Sequence, residues 1–139
     1  MADATAWPHL SLEECEALLC APGQRFEMEM VAIRGVPTRV WKNAPPNLRL
    51  LAELSRTHGA RLASILDEER VTFEAQFRAI ARLAETLQAR GVRKGDRVAT
   101  AMRNLPEWIV SFFAITSIGA IAVPLNAWWT GPELEYGLK

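Results

Sequence analysis

From Trp108 to Trp129 the chain reads WIVSFFAITSIGAIAVPLNAWW, without a single charged side chain. A stretch this apolar has to be buried, and the rest of the sequence must supply what buries it. Roughly 20 apolar residues suffice to cross a bilayer as a helix, so a membrane span is the first reading to test. The internal punctuation argues against it. Gly119 sits where a helix stops, Ile121, Ala122 and Val123 read as a short strand, and Pro124 is expected to end that strand. Ser111, Thr116, Ser117 and Asn126 also sit poorly in lipid. The expectation is a buried helix followed at once by a buried strand, with no membrane span.

Composition fits a soluble globular chain. Of 139 residues, 50% are hydrophobic and 23% charged, and sixteen basic side chains balance sixteen acidic ones. With no basic tract or acidic tail, nucleic acid is not an expected partner. The opening MADATAWPHLSLEECEALL lacks a basic segment followed by an apolar run, so it is not a secretory signal, and the expected location is the cytoplasm. Cys15 and Cys20 are only two of the four ligands a zinc site needs, and they read as incidental thiols of a reducing compartment.

In chain order, Ser11 and Glu14 have capping-box spacing ahead of a short helix, which Pro22 and Gly23 close. Phe26 to Met30 alternates apolar and acidic residues, and Val36 to Trp41 reads as a second strand, the two joined as a hairpin at Arg34-Gly35. Asn43-Ala44-Pro45-Pro46 marks a boundary. Beyond it, Leu48, Leu50, Leu51 and Leu54 line one side of a helix ending near Gly59, with His58 at its basic-favouring end. Leu62, Ile65 and Leu66 suggest a strand, Asp67 to Arg70 a turn, and Val71 a return strand. Thr72 then caps a helix whose stripe is Phe73, Phe77, Ile80, Ala84 and Leu87, with Glu74 and Arg78 four apart and Gly91 as the stop. Val98 to Met102 is the next strand. Asn104 is the expected N-cap of a helix carrying Trp108, Ile109, Phe112, Phe113, Ile115 and Ile118, apolar nearly all round and so sandwiched. Thr130 to Glu133 is a further capping box.

Alternating strands and helices with short connections predict an α/β fold: a partial doubly wound parallel sheet of three strands with flanking helices, preceded by a small β-hairpin appendage. The expected division is residues 1–46 for the helix and hairpin appendage and 47–139 for the α/β portion. Half a sheet leaves an open edge, a template for self-association.

Chemistry-bearing patterns are sparse. Gly91-Val92-Arg93-Lys94-Gly95 lies between a helix and a strand, the reverse of the strand-to-helix order a phosphate loop requires, and reads as a solvated turn. Asp67, Glu68 and Glu69 are consecutive, so they do not converge on one ion and read as a charged hairpin tip. His9 and His58 are isolated and support no nucleophilic triad. Trp108, Phe112, Phe113, Trp128 and Trp129 read mainly as core, although the adjacent Trp128 and Trp129 cannot both be buried on one side.

Two longer stretches add a resemblance: VTFEAQFRAIARLAETLQARGVRKGDRVA and MRNLPEWIVSFFAITSIGAIAVPLNAWWTGPELEY. The first, through Val71, Thr72 and Phe73, and the second, through Gly119, Ala120, Val123, Pro124, Leu125 and Asn126, resemble early blocks of the adenylate-forming superfamily. They are most similar to its AMP-forming acyl-CoA synthetases for fatty or aryl acids. The resemblance covers about two-thirds of the chain, from about Asn47 onward, and implies the first portion of that family's N-terminal domain, truncated.

It further implies a parent enzyme that uses ATP, Mg²⁺ and coenzyme A to convert a carboxylic acid through an acyl-adenylate into a thioester. The family's phosphate loop, aromatic-Thr-Glu segment, ribose-binding Asp and catalytic Lys normally lie downstream and are not in this sequence. No catalytic, cofactor-binding or metal residue is therefore assigned. The chain alone is expected to bind no cofactor and to be inactive, with the remainder of the enzyme as its partner. The alternative is a stand-alone, non-catalytic module that self-associates through the open sheet edge.

Overall fold

A computed structural model describes residues 9–139; residues 1–8, the start of the stretch read above as lacking a secretory signal, lie outside the described residues. The chain forms two compact units, one running through Pro45 and one from Pro46 to Lys139.

The first unit contains α1 (Leu12–Leu19), β1 (Met28–Ile33) and β2 (Val36–Trp41). Ser11 and Glu14 cap α1 reciprocally: the Glu14 N–H donates to Ser11 Oγ at 3.2 Å and the Ser11 N–H to Glu14 Oε2 at 2.7 Å. β1 and β2 pair antiparallel, from Met28 opposite Trp41 to Ile33 opposite Val36. The two-residue turn between them has positive φ at both positions, 52° at Arg34 and 82° at Gly35. That primed geometry matches the twist of the flanking strands. β1 begins two residues later than the alternation suggests, because the Glu27 N–H donates to the Gln24 carbonyl at 3.1 Å and closes a turn there.

The second unit runs α2 (Leu48–Ser55), a 3₁₀ turn (Arg56–His58), β3 (Leu62–Leu66), β4 (Glu69–Thr72), α3 (Phe73–Ala89), β5 (Arg97–Ala101), α4 (Pro106–Ser117), β6 (Ile121–Leu125) and α5 (Gly131–Leu138). It is a mixed α/β body of small sheets and flanking helices. Asn47 caps α2 by accepting the Leu50 N–H at 2.9 Å, and Thr72 caps α3 by accepting the Ala75 N–H at 3.2 Å. The α3 stripe faces inward as its period requires, with Gln76 and Ile80 buried and Phe73, Phe77, Ala84 and Leu87 half-buried. α4 occupies the centre, in contact with α2, α3, β3, β5 and β6. Every residue from Trp108 to Ile118 is buried or half-buried, and Ala114 and Ile115 are the deepest.

Four details differ from the sequence reading. Among the described residues, parallel pairing is confined to β5 and β6, Arg97 opposite Ile121 through Ala101 opposite Leu125, with α4 as the crossover. β3 and β4 are the expected strand and return strand, but their turn is Asp67 and Glu68 alone and they stand as a separate antiparallel pair, because Thr72 leads directly into α3. β6 runs through Pro124 to Leu125. Proline is tolerated there because β6 pairs on one side only, so a missing N–H can face outward. The N-cap of α4 is Leu105, not Asn104: Pro106 at the first helical position holds its predecessor extended (φ −107°, ψ 166°), and no side chain caps that end.

Glu74 also pairs elsewhere than expected. Its carboxylate takes a two-pronged ion pair from Arg56, at 3.0 and 3.2 Å, rather than from Arg78. The Arg56 guanidinium simultaneously lies 4.6 Å from the Phe77 ring centroid, an arrangement that outweighs one exposed pair along the helix. Arg56 holds the Glu74 carboxyl below the usual carboxylate range, and Glu74 raises Arg56 in turn. Among the described residues no helix is long and apolar enough to cross a membrane.

Gly119 lets α4 turn directly into β6. Its φ is +78°, and an added Cβ would meet the Lys94 side chain at 3.0 Å. Gly119→Ala should therefore cost about 1–2 kcal/mol from the left-handed backbone alone. A lowered urea midpoint with an unchanged denaturant slope is the expected readout.

Candidate functional site at the carboxyl end of the parallel strands

Ligands of α/β folds collect outside the carboxyl ends of parallel strands, where loops rather than ladders present the side chains. In this chain that end is built by two connections. β5 continues through Met102, Arg103 and Asn104 to the start of α4, and β6 continues through Asn126, Ala127, Trp128 and Trp129 to the start of α5. Asn126 shapes the second connection: its Oδ1 accepts the Trp128 N–H at 3.0 Å and its carbonyl accepts the Trp129 N–H at 3.1 Å. The two tryptophans then part. Trp129 turns onto Gly137 of α5, so closely that a Cβ there would lie 2.8 Å from its ring. Trp128 stays 77% exposed and meets the Arg103 guanidinium, 5.3 Å from its ring centroid. The sequence flagged the tryptophan pair, but nothing in it signals that Arg103, from the other strand, is the partner.

The connection after β5 also borders a groove of about 380 Å³, lined by Ser64, Ile65 and Leu66 of β3 and by Asn104, Leu105 and Trp108 ahead of and at the start of α4. Its volume is within the range of small-molecule sites and its walls are mainly apolar. The hydroxyl of Ser64 is buried without a hydrogen-bond partner. Phe112 and Phe113 do not reach the groove. Phe112 stacks on Trp108 with centroids 5.4 Å apart and meets Phe113 edge-on at 5.4 Å, so both belong to the core. Together the two features offer an apolar slot, one guanidinium and one exposed indole. They offer a binding surface, with no nucleophile held by a base.

The other residues weighed in the sequence lie apart from this end. In the turn Gly91–Gly95 the Arg93 N–H is taken by Asp96 Oδ2 at 2.8 Å and the Gly95 N–H by the Gly119 carbonyl at 3.0 Å, so these donors serve the turn itself. At the β3–β4 tip Arg70 reaches back to the carbonyls of Asp67 and Glu69, at 2.6 and 3.1 Å. Among the described residues no three His, Cys, Asp or Glu side chains gather where they could hold a metal ion. Cys15 and Cys20 are free and half-buried. His9 is exposed, and His58 packs on Phe73 with ring centroids 4.8 Å apart.

Comparison with known proteins places this geometry in a family. Residues 51–139 match the family described as AMP-binding enzyme, and the chain belongs to that family. It is similar to a crotonobetaine/carnitine–CoA ligase of Salmonella paratyphi A, 36% identical over 67% of this chain and 19% of that protein. A long-chain-fatty-acid–CoA ligase of Bacillus subtilis is 37% identical over 51% of this chain and 13% of that protein. Among solved structures, the Mycobacterium tuberculosis fatty acyl CoA synthetase matches with a TM-score of 0.60 and 32% identity, over 66% of this chain and 19% of that one. The chain thus aligns with less than one-fifth of the length of each of these three proteins. Its resemblance to the amino-terminal part of adenylate-forming enzymes extends to a solved N-terminal subdomain, that of Klebsiella oxytoca NpsA, at a TM-score of 0.63 and 26% identity, over 66% of this chain and 24% of that one.

Two outcomes follow for this end of the molecule. Replacing Ser64 by Ala removes a buried hydroxyl that has no partner, so the variant should be neutral or up to about 1 kcal/mol more stable in denaturant melts. At the start of α5, the Thr130 N–H and hydroxyl donate to Glu133 Oε2 at 2.7 and 2.8 Å. These bonds, the backbone one first, hold the Glu133 carboxyl below the usual carboxylate range. A lowered native value means the stabilisation is complete above the ordinary carboxylate pKa and is lost as pH falls through the native one. Hydrogen exchange at the Thr130 amide should lose protection over that acidic window in the wild type, and the step should vanish in Glu133→Gln.

Proposed function

We propose that this chain is the amino-terminal α/β segment of an ATP-dependent, AMP-forming carboxylic acid–CoA ligase, and that alone it does not activate acids. The observation that carries the reading is the family match, which begins at Leu51 and takes in the whole β5–α4–β6 unit. In such a ligase the acid carboxylate attacks the α-phosphate of ATP, forming an acyl-adenylate and releasing pyrophosphate. The thiol of coenzyme A then displaces AMP to give the thioester. Catalysis of the first step requires groups that neutralise the triphosphate, to which a divalent cation would contribute charge stabilisation.

The residues present do not fit that task. The glycine turn is of the helix-to-strand order with its Arg93 and Gly95 amides engaged, and no carboxylate cluster stands near it among the described residues. The nucleotide, Mg²⁺ and coenzyme A are accordingly assigned to the rest of the enzyme, and the role of this segment is to build the frame. The acid is of the fatty or aryl class. That choice is supported by the fatty-acid ligases among the relatives and by the apolar walls of the groove at Ile65, Leu105 and Trp108. The cytoplasm, which supplies ATP and coenzyme A, is the setting proposed for this chemistry.

Calorimetric titration of the 139-residue chain with ATP and Mg²⁺ tests the reading, alongside an assay for acyl-CoA formation from a fatty or aryl acid. No binding heat and no thioester are the expected results. Saturable one-to-one nucleotide binding would show that a phosphate site is contained within these residues and overturn the division of labour.

A further inference from the structure

The hairpin of the first unit is a two-stranded sheet with no third strand among the described residues. Two strands alone are marginal in water; a third or fourth is what makes such a sheet stable. The apolar side chains bear this out: Met30, Ile33, Val36 and Trp41 are 63, 48, 62 and 57% exposed. The two outer edges of the hairpin are not equivalent. The Lys42 N–H donates to the Glu27 carbonyl at 2.9 Å, and inward hydrogen bonding alternates from there. Pairs 29/40, 31/38 and 33/36 therefore bond inward, and the backbone groups of 28, 30, 32 and of 37, 39, 41 point outward. On β2 the outward row includes Pro37, which has no N–H, and Arg39, which lies 4.0 Å from Glu16 of α1. That edge is blunted. On β1 the outward row is Met28, Met30 and Ala32, a full set of donors and acceptors on an uncharged strip.

Charge then selects the strand that fits this edge. Glu27 is engaged by Lys42 at 2.7 Å and by the Gly23 N–H at 2.9 Å. Glu29 near one end of β1 and Arg34 just past the other have no ion pair among the described residues. A second β1 laid antiparallel, with Val31 on the two-fold axis, brings Met30 opposite Ala32, Glu29 opposite Ile33, and each Arg34 to the acidic end of the other strand. The two Glu29 side chains stay well apart. The strands of the second unit offer no such match. β3 (LASIL) and β6 (IAVPL) are uncharged, β4 (ERVT) has Glu69 and Arg70 side by side at one end, and β5 has its Arg97 at the amino end, which an antiparallel approach would set against Ile33.

We propose that the free edge of β1 is a homodimer interface, at which β1 of two copies pair antiparallel about Val31 to form one four-stranded sheet in the order β2-β1-β1-β2. The interface is isologous, so it closes at two copies and leaves the blunted β2 edges outermost. Glu29, Val31, Ile33, Val36 and Val40 of both copies then share one face of a continuous sheet.

Sedimentation equilibrium of the full chain at low salt, up to about 100 μM, tests this, in the concentration range where a micromolar dimer is fully formed. The expected result is a dimer. Met30→Pro, which removes an outward N–H from the edge, should give a monomer. Arg34→Glu should weaken the dimer a few-fold at low salt, because it sets two acidic groups rather than an acid and a base at each strand end, and Glu29→Lys added to it should restore the affinity. The charge-exchange pair keeps the test decisive if Met30→Pro fails to fold. A wild-type chain that is monomeric throughout, or an oligomer indifferent to these substitutions, overturns the proposal.

Discussion

Burial of α4 is the constraint on which the second unit depends. Ile115 and Ala114 are 2% and 0% exposed, and the helix meets α2, α3, β3, β5 and β6, so nearly every other element of the unit is held by what it covers of α4. A single fully buried isoleucine is worth about 1.5–3 kcal/mol relative to exposure. The helix has no polar face to spare for solvent, so it can be satisfied only by neighbours on all sides. That demand explains the tight passage at Gly119: with only Ile118, Gly119 and Ala120 between helix and strand, β6 is delivered beside β5 almost at once.

Elements whose signal is local were legible in the sequence. Thr72 with the stripe from Phe73 to Leu87 specifies both the start and the inward face of α3, because capping and a 3.6-residue period depend on nothing outside the helix. Trp128 beside Trp129 announced an exposed aromatic for an equally local reason, that neighbouring side chains diverge. What escaped needed knowledge of other elements. Pro124 stops a strand only if its missing N–H is wanted, and in β6 the pairing is one-sided. Arg78 is the helical neighbour of Glu74, yet Arg56 arrives from a separate turn with a better fork and an aromatic ring to lie on. The partnership of Arg103 with Trp128 joins the ends of two strands that become adjacent only when the parallel pair forms.

The same distinction governs α2. Its leucines recur with helical spacing, and the helix forms where expected, capped by Asn47. Yet the residue it fully buries is Ala52, while Leu48, its i, i+4 neighbour on the same face, Leu51 and Leu54 are left 40, 43 and 47% exposed. Periodicity reports that a face is apolar; it does not report which face the available neighbours cover. α2 packs against α4, and it is the small Ala52 rather than a leucine that is fully enclosed there.

The two units therefore differ in how their apolar surface is handled. In the second, a central helix recruits neighbours on every side, and the exposed remainder sits on α2, on β3, and most of all at Trp128 and on α5 at Tyr136 and Leu138. In the first, no described residue is fully buried, and a hairpin with a primed turn holds its strands in register without a core beneath them. Register can be set by turn geometry alone, but stability cannot, because cross-strand pairs contribute only about 0.2–1 kcal/mol each. A hairpin so well specified and so little buried is what makes pairing at its edge worth testing. The chemistry of its edges is unequal, prolyl and charged on β2 but uninterrupted on β1, and that asymmetry is what directs the proposed pairing to β1.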